Sequence, residues 1–158
     1  MTVLPPAADW RRALGLYLGW SALGHLAWEA AHMPLYTLAE EEPPWRIVAY
    51  GLHCTAGDVL IAMAAIVVAV LVARDARWPH RRFGLVAAVA MAVGLAYTLG
   101  SEYVNTEILR SWAYTDAMPR LPGTRIGLTP VLQWLVVPGL AFLAVRRRRP
   151  VGAGTDAA

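Results

Sequence analysis

The 158-residue sequence has no lysine, a single cysteine (Cys54) and two phenylalanines, and only 16% of it is charged. A lone cysteine cannot close an intramolecular disulfide, and it excludes a cysteine-rich zinc module. The charged share falls well below the roughly 25% typical of soluble globular domains. By contrast, 58% of the residues are apolar and mean hydropathy is +0.45. That balance excludes intrinsic disorder and weighs against an ordinary soluble fold. All 14 basic residues are arginine, and the isoelectric point is near 9.4. They lie in short clusters between apolar runs, as membrane-flanking charge does, so no nucleic-acid partner is expected.

Apolar runs dominate what is present. Four of them approach or exceed the roughly 20 residues a membrane-crossing helix needs: about 13–36, 47–73, 83–104 and 129–145. Between Val59 and Ala73 there is no polar side chain at all. Four such runs could not share one soluble core. The expected fold is therefore all-α, a polytopic membrane protein built as a four-transmembrane-helix bundle, with the lipid bilayer as its partner.

Arginine placement orients it. Arg11, Arg12, Arg74, Arg77, Arg81, Arg82 and Arg146 to Arg149 flank one side, ten against four (Arg46, Arg110, Arg120, Arg125) on the other. The positive-inside rule then puts both termini in the cytoplasm, with the protein multi-pass in a bacterial inner membrane. Although Arg11 and Arg12 form a twin-arginine pair, no small-residue cleavage site follows, so the first run is expected to be retained as a helix. The connection 105–128 is long and is expected to cap the outer end of the bundle. Val104, Ile108 and Trp112, spaced by four, suggest a short interfacial helix there. The tail 151–158 is expected to be disordered.

Ionisable groups inside such spans are costly and mark candidate sites. In the first span Ser21, His25, Glu29, His32 and Tyr36 recur every three or four residues, one helix face. The second span carries His53, Cys54 and Asp58, the third ends with Thr98, Glu102 and Asn105, and the fourth opens with Gln133 beside Trp134. At 1.5 Å per residue, Glu29 and His53 fall roughly 9–11 Å below the outer end, and His25 and Asp58 roughly 16–17 Å. The expectation is one outward-facing pocket lined by His25, Glu29, His32, His53 and Asp58, with Glu102 at its mouth.

Several chemistries fit these residues. A metal site would draw on His25, Glu29, His32, His53, Asp58 and Glu102, with zinc or iron favoured by ligand type. Glu29 and His32 form one Glu-x-x-His element, whereas carboxylate-bridged di-iron bundles use two. An acid–base enzyme acting on a lipid-like molecule would use Glu29, Asp58 and His25 as catalytic groups. A single haem b would need His25 or His32 to face His53 across helices. A fourth reading is an oligomeric ion or proton pathway, since the apolar inner halves of spans two and three offer a single chain no polar route. A homo-oligomer or a non-catalytic subunit of a membrane complex is a related expectation. Against all of these, buried polar pairs can simply join helices. Such contacts return only about 0.6–2 kcal/mol, while burying a charge costs about 2.5–3.5. Five ionisable groups are an expensive way to pack four helices.

Two resemblances accompany these readings. His25-x-x-x-Glu29 resembles an element of the sterol-isomerase group of small membrane proteins, which keep acidic and Trp residues in a lipid-accessible cavity. The strings from Gly24 to Glu29, Met33 to Tyr36, His53 to Asp58, Ser111 to Tyr114, Met118-Pro119 and Leu132 to Trp134 are similar to a family of small bacterial four-span integral membrane proteins without an assigned function. That likeness implies architecture alone.

Overall fold

The computed structural model describes residues 7–75 and 77–148, so the expected disordered tail lies outside the described residues. The chain is all-helical: α1 (Ala7–His32), a 3-10 turn (Met33–Leu35), α2 (Leu38–Glu41), α3 (Pro44–Ala73), α4 (Phe83–Tyr103) and α5 (Leu128–Arg147). Among the described residues no strand forms, only two isolated bridges. The long helices pack in a ring, α1 against α3, α3 against α4, α4 against α5, and α5 back against α1. Apart from the closing contact of α5 with α1, each long helix packs against the next long helix in the chain, the up-and-down arrangement of antiparallel bundles.

Three helical stretches are long and apolar enough to cross a membrane: Pro44–Ala73, Phe83–Ile108 and Leu128–Arg147. Four were expected, and α1 is the one that fails. Its 26 residues have ample length, but its polar stripe and the Asp9, Arg11 and Arg12 of its first turns lower its hydropathy. The apolar surfaces of the other helices turn outward. Only 28% of the apolar window of α3 and 22% of that of α4 is buried, as expected when lipid, not protein, covers them.

Small residues let the helices close up. A methyl group at Gly94 of α4 would fall 2.1 Å from the ring of Trp134 in α5, and one at Gly24 of α1 would fall 2.7 Å from Val137. Ala62, Ala65 and Ala69 of α3 are fully buried in the same core as Tyr17 and Phe142.

Local chemistry sets the helix ends. Pro34 stops α1 at His32, so Tyr36 leaves the helical stripe and bridges to Tyr114. Pro43 and Pro44 start α3 three residues before the expected Ile47, because proline suits the first helical turn. Past Tyr103 the chain makes a π-helical turn, Val104–Ile108, where the Asn105 and Thr106 side chains bond the Ser101 and Glu102 carbonyls. Arg110 then takes a left-handed conformation at φ 53°. Trp112 is therefore not helical, and no separate interfacial helix forms. Residues 111–115 instead run as a strap beside the end of α1, with the Thr37 amide on the Ala113 carbonyl (3.0 Å) and the Thr115 amide on the Leu35 carbonyl (2.9 Å).

Candidate functional site

The C-terminal end of α1, the N-terminal end of α3, the C-terminal end of α4 and the N-terminal end of α5 meet around a cavity of about 640 Å³. Ligand sites typically measure about 300–1,000 Å³. Glu29, His32, His53, Asp58, Glu102 and Gln133 all contribute to its wall, and no arginine does.

Gln133 organises the floor. Its Nε2 lies 3.0 Å from Glu29 Oε1, 3.1 Å from Asp58 Oδ2 and 3.0 Å from His25 Nδ1. One side-chain amide thus ties α1, α3 and α5 together. An amide nitrogen has two protons, too few for three acceptors. We assign the His25 proton to Nδ1, directed at Asp58 Oδ2 3.3 Å away. The two amide protons are then given to Glu29 and Asp58, which leaves the 3.0 Å approach of Gln133 Nε2 to His25 Nδ1 a contact without a hydrogen bond.

His25 does not line the cavity, contrary to the sequence expectation. It is fully buried behind Gln133, with its ring 5.1 Å from that of Trp134. The reason is rotation: the α1 stripe drifts around the helix, and at the depth of His25 it already points at α5. One turn nearer the cavity mouth, His32 Nε2 pairs with Glu29 Oε2 at 3.2 Å, and the Tyr36 ring packs edge-on against the imidazole. His53 sits on the cavity wall but is solvent- or lipid-exposed, as are Cys54 and Tyr97. Tyr50 on α3 and Ser111 on the strap are exposed lining residues as well.

The strap also contributes to the wall. Ser111 and Trp112 border the cavity. Tyr114 gives its hydroxyl proton to the Glu102 carboxylate and accepts the Gly127 amide at 3.2 Å. Burial, reinforced by Glu102, pushes the Tyr114 phenol up, so it stays protonated and keeps donating.

Among the described residues, no three His, Cys, Asp or Glu side chains are grouped as a metal site requires. His25, Glu29 and Asp58 converge on an amide, and Glu102 is engaged by a tyrosine. Gln133 and Tyr114, absent from the expected site set, are its main hydrogen-bond partners. Gln133 did carry a signal: it is the one side chain able to make strong hydrogen bonds through both its groups between Pro130 and Val145, in an otherwise apolar span. Compared with known protein families, curated proteins and solved structures, the chain matches none.

Proposed function

We propose that this chain is a four-span integral membrane protein that draws an amphiphilic molecule out of the bilayer and performs acid–base chemistry on its polar head. The carrying observation is the acidic cavity of about 640 Å³ with exposed His53, Cys54 and Tyr97 at its side. A lipid-like molecule reaches it sideways, between α3 and α4, without entering water. For the fourth span, α1 packs along α3 and α5 and exposes Trp20, Leu23 and Leu26 on its outer side. Its polar stripe is spent inward, where lipid is not required to solvate it. The ten-to-four arginine distribution favours cytoplasmic placement of the far end, so the cavity opens toward the outer leaflet of a bacterial inner membrane.

Within the cavity, Glu29 with His32 forms a carboxylate–imidazole couple able to take or give a proton. Asp58, aligned by Gln133 and backed by His25, is the second such group. Acid–base chemistry is preferred to metal-assisted chemistry because the point on which His25, Glu29 and Asp58 converge is filled by the Gln133 amide, and Glu29 and Glu102 are paired with His32 and Tyr114. Three carboxylates (Glu29, Asp58, Glu102) and no arginine on the wall favour a hydroxyl or amine head and disfavour a carboxylate head.

Thermal unfolding of the purified protein with oleyl alcohol, oleylamine or oleate tests the reading. The alcohol or the amine should raise Tm by ligand linkage, and oleate should not. Glu29→Gln and Asp58→Asn should fold yet lose the shift. If none of the three amphiphiles moves Tm, or if the shift survives in both variants, the polar floor serves only to join helices.

A further inference from the structure

Below the cavity floor, α1 carries two more buried polar side chains in line with His25. Tyr17, Ser21 and His25 are each 0% exposed. Among the described residues, Tyr17 OH, Ser21 Oγ and His25 Nε2 have no hydrogen-bond partner. An unpaired buried polar atom costs about 1–3 kcal/mol, and native interiors hold few of them. Here three fall on successive turns of one helix face. Helical side chains lean toward the N-terminus over the residue four positions earlier. His25 therefore stands over Ser21, and Ser21 over Tyr17, whose phenol lies beside the Ser21 hydroxyl. The column covers about 12 Å of helix rise.

The top of the column meets the cavity floor, and its lower end stops one turn above a second cavity. At the top, His25 Nδ1 faces Asp58 Oδ2 and Gln133 Nε2 on the cavity floor, with Glu29 beside them on the same amide. At the bottom lies a second cavity of about 50 Å³ bordered by Asp9, Arg12, Ala13, Leu16, His80 and Arg148. Ala13 is the residue one turn below Tyr17 on the same face. Asp9 Oδ2 and His80 Nε2 are 3.3 Å apart at that end. The sides are sealed: the Phe142 ring stacks on Tyr17 at 4.5 Å, and the buried alanines of α3 complete the same core.

We infer that the Tyr17–Ser21–His25 column of α1 is a proton relay joining the arginine-rich end of the bundle to the acidic floor of the main cavity. A proton leaving the Asp9–His80 end is taken up at the Tyr17 hydroxyl, which gives its own proton to Ser21. Ser21 gives its proton to His25 Nε2, the imidazole nitrogen left unprotonated in the assignment above. His25 releases its Nδ1 proton to the Asp58 carboxylate. One proton enters and one leaves, no electrons move, and hydroxyl rotation with imidazole tautomer exchange resets the column. The apolar inner halves of α3 and α4, which led the sequence reading to require an oligomer for any pathway, are bypassed because α1 supplies the polar groups.

The relay stands independently of the amphiphile reading. The test is proton entry into phosphatidylcholine vesicles that hold the full-length protein and a pH-sensitive dye, driven by a potassium diffusion potential. Wild type should acidify the lumen faster than protein-free vesicles do. Tyr17→Phe, which retains the ring stack on Phe142, and Ser21→Ala should return the rate to the protein-free level. Trp20→Phe, on the outer side of the same helix, should conduct as wild type does. Tyr17→Phe should also keep the wild-type thermal response to amphiphiles, which separates failure of the relay from failure of the cavity. A wild-type rate equal to that of protein-free vesicles, or undiminished flux through both column variants, overturns the relay.

Discussion

A single glutamine holds the site together. Gln133 contacts Glu29, Asp58 and His25 at 3.0–3.1 Å from three helices. Removing it leaves two carboxylates facing each other without their shared donor, and a buried group stripped of its partner costs about 1–3 kcal/mol. Gln133→Leu should therefore lower thermal stability in detergent by an amount of that order. Adding Glu29→Gln should recover part of the loss, because one of the two facing carboxylates is then gone. The double-mutant cycle measures the coupling. If the two losses simply add, the amide does not act as a shared node.

Elements owe their ends to short-range chemistry, and the connection between α3 and α4 shows how. Arg74, at φ 49°, terminates α3, and Arg82, at φ 51°, precedes α4. Between them Asp75 accepts from Arg77 three times: Nε to Oδ1 at 2.8 Å, Nη2 to Oδ2 at 3.0 Å, and the backbone amide to Oδ1 at 3.0 Å. The Arg77 side chain bonded to Asp75 draws its carboxyl down from 3.8 to about 2. A carboxyl lowered by folding stabilises the fold above its unfolded value, and that contribution fades as pH falls through the folded one. Asp75→Asn should thus cost stability at neutral pH, with the gap from wild type closing between about pH 4 and pH 2. Thermal melts of both proteins across that range provide the check. A gap that stays constant across it would leave the turn without an ionic contribution.

At the scale of the whole molecule, the two ends of the bundle differ in charge and in cavity. Among the described residues, one end gathers nine of the arginines and the small cavity by Asp9 and His80, and the other holds the large acidic cavity beneath the strap. Under the positive-inside rule this asymmetry predicts cytoplasmic placement of the arginine-rich end. With a reporter active only outside the cytoplasmic membrane, a C-terminal fusion should be silent and an insertion near Gly123, in the connection between the strap and α5, should give signal. Reversed signals would place the cavity on the cytoplasmic side, and signal from both sites would deny α5 its crossing.

Helix existence, and the inventory of polar groups within the helices, were legible in the sequence because hydropathy and the 3.6-residue period are local properties. The stripe of Ser21, His25, Glu29 and His32 could be read that way, and so could the depth at which His25 and Asp58 stand 3.3 Å apart. Partner choice could not. Whether His25 faces the cavity or hides behind Gln133 depends on the rotation of α1 against α5, which the close approach of Gly24 to Val137 constrains. Likewise, Tyr114 reaches Glu102 only because residues 111–115 lie along the end of α1 as a strap. Composition and periodicity decided that polar groups would be buried. Packing between segments more than 100 residues apart, His25 and Gln133 above all, decided which of them meet.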